Sequence, residues 1–441
     1  MQDLRRSWNV FQRIVFRFFC CFFIIYIFPF PANILTYFFD ESAESTPKFL
    51  SWYFKFFDHY TDLWHLIVPW IGAHLLKLKT PITIFSNGSG DTTYDYVLLL
   101  TFLLISVFAT LCWTILDRKR ISYNAAYYWL RVLVRYNLAA YMLGYGLSKV
   151  YHLQMPGPYL SQLVQRFGDK SPMGLIWSFI GFSPAYSAFT GWGEAIGGLL
   201  LFFRKTTALG ALVLVAVLVN VVAINFCYDV PVKLFSSILL LMDIFLLAPE
   251  TRRLIAFFLL NKPVQPQAPE FLPKNKRISR WLLACKWIFI PVCILGTFIP
   301  INQMVKDYGD RRTLPRLYGI YDVQTFVRNR DTIAPLLTDS ARWKQLIIQV
   351  ENFAYCYYMN DKRQRVHFTV DSLSRNATYY TDQDTLKKTT FQIRRIDSLH
   401  LAMDGLFYSD SLHLLLKKID LNSFLLVSRG FNWINEYPYN R

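Results

Sequence analysis

Up to about residue 300 the chain consists of long apolar runs separated by short polar and basic stretches. Beyond that point apolar and polar residues alternate singly. Crossing about 30 Å of hydrocarbon takes roughly 20 helical residues. Seven runs approach that length: 14–36, 95–116, 126–148, 186–203, 206–226, 231–248 and 281–300. Residues 37–94 include FLSWYFKFFDHYTDLWHLIVPWIGAHLL, an aromatic stretch with scattered charges that predicts an interfacial or re-entrant helix. SNGSGDTTYDY reads as a turn into the second span, with Asp91 or Thr92 as its N-cap. The Pro-rich, basic NKPVQPQAPEFLPKNKR reads as a linker to the last span.

After Ile301 the runs YGIYDVQTFV, KQLIIQVENFAYCYYMN, RVHFTVD, TFQIRRI, SLHLAMDGLFYSD, LHLLLKKID and SFLLVSRGF alternate with period two, separated by turn residues such as Asn360-Asp361 and Asp404-Gly405. Seven to nine short antiparallel strands are expected, forming a small barrel or sandwich, with one helical turn at TDSARWK. Phe368, Val370, Leu399 and Leu401 are expected to face inward, and SRGFNWINEYPYNR to plug or close the barrel. Arg429, Asn432 and Glu436 in that ending read as strand-end contacts rather than ligands. The predicted fold class is mainly α: a polytopic membrane helical bundle of about seven spans, followed by a C-terminal antiparallel β-barrel or sandwich. Its parts are 1–125 (two spans with a long aromatic outer loop), 126–250 (a four-helix module), 251–304 (linker and last span) and 305–441 (the β-rich domain).

Composition agrees with a membrane protein. The chain is 54% hydrophobic and 17% charged, with mean hydropathy +0.25, where soluble domains carry about 25% charged residues. A net charge of +17 would suggest nucleic acid in a soluble protein. Here the basic residues flank apolar runs and no stacking or phosphate-cradling motif accompanies them, so the lipid bilayer is the expected partner and nucleic acid is not. With the N terminus inside, the inner stretches hold 16 Lys and Arg and the outer loops 8. That bias predicts an inner N terminus and an outer C-terminal domain. The β-rich end suggests a bacterial envelope protein, which makes the membrane the inner one, the N terminus cytoplasmic and the C-terminal domain periplasmic. The first run lacks a small-residue cleavage site and reads as an uncleaved span. Seven cysteines show no CxxC or Cys/His spacing, and His59, His65 and His74 are not gathered on one face, so no metal site is expected.

The chemistry to explain is charge inside the spans, where each charged group costs about 2.5–3.5 kcal/mol at the centre of the bilayer. Arg131, Arg135, Lys149, Glu194, Asn220 and Asp243 form the candidate buried polar cluster. Depths along the helices match Arg135 with Glu194, Arg131 with Asp243, and Lys149 with Asp229. These pairs either lock helices together, with the glycines of GWGEAIGG allowing close contact, or surround a cavity for a headgroup, quinone or oxyanion.

An Arg-bearing helix ending YMLGYGLSKV, a Pro-containing loop, a helix with GEAIGGLLLFFRKTTALGA and two further apolar helices make residues 126–250 resemble the DoxX-like family of bacterial membrane proteins. The resemblance matches Arg131 or Arg135, Lys149 and Glu194 to the family's recurring charged positions, and implies a quinone-linked or redox-linked role. The extra spans, the β-rich end and the lack of a cysteine pair depart from that family. The alternative readings are a non-enzymatic lipid or hydrophobe binder using the β domain, or a subunit of an envelope complex with a protein partner. No nucleophile elbow or HExxH points to a hydrolase.

Overall fold

The computed structural model describes residues 8–33, 51–85, 87–265, 275–371, 375–382, 384–407 and 409–440. The end of the first predicted span, part of the 37–94 segment and most of the Pro-rich linker lie outside the described residues. The chain divides into two compact units, Met1–Met155 with Ser183–Asp310 and Pro156–Phe182 with Arg311–Arg441.

The first unit is helical. α1 (Val10–Ile27) starts at Asn9, whose side chain accepts from the Gln12 amide. α2 (Ser51–His74) is the aromatic helix of the 37–94 segment. α3 (Thr93–Leu116) is capped by Thr92 in a reciprocal box with Asp95. α4 (Asn124–Val150) follows. Two short helices, α5 (Leu160–Leu163) and α6 (Pro172–Phe182), belong to the other unit. The chain returns through α7 (Pro184–Leu201), α8 (Thr207–Cys227), α9 (Lys233–Leu247), α10 (Thr251–Phe258) and α11 (Lys276–Asp307). Asp91, the other candidate cap, instead accepts from the Lys233 and Leu234 amides at the start of α9 (2.8 and 3.0 Å). The core joins Phe22 and Phe23 of α1, Leu138 and Met142 of α4, Leu214 of α8 and Met242 of α9. Lipid is as apolar as these side chains, so close packing rather than exclusion of water holds such helices together.

Among the described residues five helical stretches are long and apolar enough to cross a membrane: Val10–Ile27, Thr93–Leu116, Arg204–Cys227, Lys233–Phe258 and Lys276–Asp307. The other two predicted spans, α4 and α7, fall outside that set. α4 carries Arg131, Arg135 and Lys149, and the 18 residues of α7 include four glycines and Glu194.

The second unit is an antiparallel barrel. Its strands are β1 (Gly319–Arg328), β2 (Asp331–Thr332), β3 (Trp343–Val350), β4 (Phe353–Tyr358), β5 (Arg363–Asp371), β6 (Asn376–Thr381), β7 (Asp384–Arg395), β8 (His400–Phe407) and β9 (Asp410–Lys418). Neighbours pair in sequence, and β1 also pairs with β9. The eight longer strands thus close, with the two-residue β2 appended to β1. Closure satisfies both edges of the sheet, which an open sandwich would leave unpaired. Leu346, Ala354, Cys356, Val366, Met403 and Leu414 fill the interior. Phe368 and Leu401 face inward as expected and Val370 is half-buried, but Leu399 is exposed in the turn before β8, and Asp404-Gly405 is no turn but lies within β8, paired with β9.

The segment 156–182 packs on the outside of this barrel. Leu160 clusters with Ile320, Ile347 and Tyr357, and the Ser161 amide donates to Gln349 Oε1 (2.9 Å). Arg166 forms an ion pair with Asp361.

Three expectations at the carboxyl-terminal end need correcting. TDSARWK forms no helix: Asp339 Oδ1 accepts from the amides of Arg342 (3.0 Å) and Ala341 (2.7 Å), bonds that also hold its carboxyl below the usual range. The buried Arg342 guanidinium then donates to the carbonyls of Ile333 (3.0 Å) and Val323 (3.2 Å). SFLLVSRGF is not a strand, because Asp420 caps a 3-10 turn that leads into the short helix α12 (Leu425–Ser428). The ending does not plug the barrel. Phe431, Trp433 and Tyr437 are at least 80% exposed, and Arg429 turns back onto Asn435 and the Tyr439 ring.

Candidate functional site

Glu194 is met by Lys149. Both side chains are more than nine-tenths buried, and Lys149 Nζ donates to Glu194 Oε1. The cause is the register between α4 and α7. A Cβ on Gly146 would lie 2.6 Å from Gly191 O and 2.5 Å from Ala195 N, and one on Gly191 would lie 2.5 Å from Gly146 O. The two backbones therefore touch, as small residues permit. Gly198 meets Ala139 O at 3.0 Å further along. In this antiparallel register Arg135 lies opposite the turn after α7, not opposite Glu194. It donates to Thr207 Oγ1 (3.2 Å) and lies over the Tyr136 ring. The expected Arg135–Glu194 pair is therefore replaced by Lys149–Glu194.

The other two depth matches also change. Arg131 donates to the Leu246 carbonyl (3.4 Å), one turn past Asp243, and lies over the Tyr127 ring. Asp243 is fully buried, and neither carboxyl oxygen has a hydrogen-bond partner among the described residues. Asp229 pairs with Lys233 (2.8 Å). Asn220 is exposed on α8 and takes no part in the cluster; the buried asparagine of that helix is Asn225, whose Nδ2 donates to Ser236 (2.9 Å). Glu194 Oε2 has no hydrogen-bond partner among the described residues. The candidate residues thus divide into a closed ion pair, two arginines held by neutral oxygens and tyrosine rings, and a solitary carboxyl group.

A second buried arginine site had no signal in the sequence. Arg17, one of the 16 basic residues assigned to the inner side, is 3% exposed. It donates to Tyr123 Oη (2.7 Å), Thr114 Oγ1 (3.0 Å) and the Asp117 carbonyl (2.9 Å), tying α1 to the end of α3 and the start of α4. Tyr123 in turn donates to Asp117 Oδ2 (2.9 Å). Each of the three guanidinium nitrogens of Arg17 donates to a protein oxygen, so this arrangement serves the fold.

A cavity of about 500 Å³ opens at one end of the barrel. Trp343 and Tyr379 stack at 5.4 Å, and Phe407 meets Trp343 at 5.8 Å and Tyr379 at 5.4 Å. Phe326 and Leu412 complete the apolar wall. Ser340, Tyr358, Gln364, Thr381 and Asp384 supply polar groups, with Tyr358 donating to Gln364 Oε1 (2.6 Å). At the rim Asp410 accepts from Asn329 Nδ2 (2.6 Å) and Arg328 Nε (2.7 Å), bonds that hold its carboxyl below the usual range.

A bulge builds part of this wall. The pairing of β1 with β9 shifts between Val323 and Thr325, reversing the parity of the strand so that Phe326 and Arg328 point to the cavity. The sequence reading followed unbroken alternation and missed both residues. The readable signal was an aromatic residue near the end of four different strands.

The chain is 32% identical over 123 residues to the uncharacterized protein YwoB of Bacillus subtilis (strain 168), a stretch covering 26% of this chain and 72% of that protein. No family model matches the chain, and no solved structure matches it. The chain belongs to the same family as YwoB.

Proposed function

We propose, with membership of the YwoB family as the premise, that this chain is a membrane-anchored binding protein whose barrel mouth takes a small amphipathic molecule. The aromatic wall of Trp343, Tyr379 and Phe407 beneath a polar rim carries this reading. Such a wall offers flat apolar contact to one face of a ligand, and Ser340, Thr381 and Gln364 offer hydrogen bonds to its edge. Ser340 is exposed at the opening, so Ser340→Trp should close the mouth without disturbing the core. Native mass spectrometry of the protein from mild detergent should find a co-purifying molecule that this variant loses. Equal retention by both proteins would sink the reading.

A second reading places a quinol or another hydroxyl-bearing hydrophobe within the helical unit. It draws on Glu194 Oε2 and the two carboxyl oxygens of Asp243, which lack donors among the described residues. The same spectra separate the two readings, since Ser340→Trp leaves a ligand of the helices in place.

The anchor is a seven-span bundle in a bacterial cytoplasmic membrane, with the N terminus inside and the barrel outside. The joint folding of 156–182 with 311–441 supports seven crossings over five. If α4 and α7 did not cross, α1 and α3 would leave residues 156–182 on the inner side, while α8, α9 and α11 carried the barrel to the outer side. One folded unit cannot lie on both sides of a bilayer. With α4 and α7 crossing, both segments emerge together; the Lys149–Glu194 pair neutralises two of the charges those helices bring, and Arg131 and Arg135 rest on neutral oxygens and tyrosine rings. Cysteine labels at Gly168 and after Asn440 should react from the same side, and a label at Arg120 from the other. Labelling of Gly168 from the side of Arg120 would refute the seven-span arrangement.

A further inference from the structure

A second cavity lies on the outer wall of the barrel, away from the aromatic mouth. It measures about 510 Å³ and is bounded by the 156–182 segment on one side and β3, β4 and β5 on the other. Three cationic side chains, Lys170, Arg363 and Arg365, line it, and no carboxylate does. Arg363 and Arg365 are two apart on β5, so both point outward from the barrel. Their guanidinium groups lie over the rings of Tyr355 (5.1 Å) and Phe353 (4.0 Å), and neither meets a carboxylate among the described residues. The contrast with the adjacent turn is informative: there Asp361 takes both Lys344 and Arg166 as partners. Lys170 spends one donor on Ser178 Oγ (3.1 Å), leaving two ammonium protons uncommitted by that bond.

The rest of the lining suits an anion. Ser171 and Gly174 bring the first turn of α6 to the wall, adding the positive end of an 11-residue helix. Ser161, Gln162 and Gln165 supply neutral polar groups. Planar guanidinium forks already placed on aromatic rings match phosphate oxygens in pairs. The same α6 is apolar apart from Ser178, and it exposes Phe179 and Phe182, while Phe167 is exposed just before it. A cationic pocket beside exposed aromatic rings on a short apolar helix is the arrangement that meets a lipid headgroup and its acyl chains together.

We propose that this pocket binds a phosphate-bearing anion, the headgroup of an anionic membrane lipid. The site is separate from the aromatic mouth, and Ser340→Trp leaves it intact.

The test uses the full-length protein in mild detergent with an equal mixture of phosphatidylglycerol and phosphatidylcholine, read by native mass spectrometry. Wild type should retain phosphatidylglycerol preferentially. Arg363→Gln with Arg365→Gln should reduce that preference roughly thirtyfold, taking a factor of about five for each cation near an anionic headgroup. Both arginines are exposed, so the fold should survive, and the pair Arg363→Lys with Arg365→Lys, which keeps the charge but loses the paired forks, should keep only part of the preference. Lys170→Gln, on a different segment, should also weaken it. An unchanged preference in the double glutamine variant and in Lys170→Gln would overturn the proposal. Displacement of the lipid by millimolar inorganic phosphate would overturn the lipid source and assign the pocket to a free oxyanion.

Discussion

Lys149→Met should lower the stability of the protein in detergent by about 3–5 kcal/mol, because it leaves the Glu194 carboxylate buried without its partner. Lys149→Met combined with Glu194→Leu should recover most of the loss, since removing both charges removes the burial penalty with the attraction. Arg135→Gln should cost only about 1–2 kcal/mol, the scale of its bond to Thr207 and its contact with Tyr136. Thermal melts of these variants and of Glu194→Leu alone check the series. A double variant whose loss equals the sum of the two single losses would show that the pair contributes no coupling. A larger effect from Arg135→Gln than from Lys149→Met would return Glu194 to the partner expected from helix depth.

Gly146→Val is the second large effect. The new Cβ would sit 2.5–2.6 Å from backbone atoms of Gly191 and Ala195, which cannot rotate away as a side chain can. α4 and α7 must separate, losing the contact along Gly191, Ala195 and Gly198. Overpacking of a tight core costs typically about 1–3 kcal/mol, and a backbone-to-backbone clash should reach or pass the top of that range. Separation also lengthens the reach from Lys149 to Glu194, so the damage should exceed that of Gly197→Val, whose Cβ meets only the movable Leu214 side chain. Comparable melting temperatures for the two variants would argue against the close α4–α7 contact. If the ion pair is drawn apart as described, Lys149→Met should cost less in a Gly146→Val background than in the native one.

What could be read from the sequence follows the physics of each feature. Helices announced themselves where one residue type filled a whole membrane-length run, and the barrel did so where alternation lasted several strands. Thr92 was legible as a cap because its partner Asp95 lies three residues away in the same stretch. Facts that depend on two distant segments were not legible. The register of α4 on α7 is set by Gly146 meeting Gly191, and depth counted from span ends misplaced Glu194's partner. The bulge in β1 broke a period of two that the sequence displays without interruption, hiding Phe326 and Arg328. The Pro-containing stretch after α4 carried no strand or span signal, so nothing marked Leu160 as part of the barrel's packing. The aromatic ending was misread for a different reason. Its residues are apolar enough for a strand, but the barrel already closes through β1 and β9 and has no place for another.

The union of 156–182 with the barrel also sets a timetable for biosynthesis. Phe182 leaves the ribosome 176 residues before Tyr358, the last residue of the strands on which Leu160 rests. At bacterial or eukaryotic rates of about 5–20 residues per second, the earlier segment waits roughly 10–35 s for its partner. During that interval Leu160, Leu163 and Val164 have no sheet to cover, while α7, α8, α9 and α11 are still being made. A nascent chain stalled anywhere between α7 and β4 would hold this segment ready and unpaired, a natural handle for a chaperone or a quality-control protease.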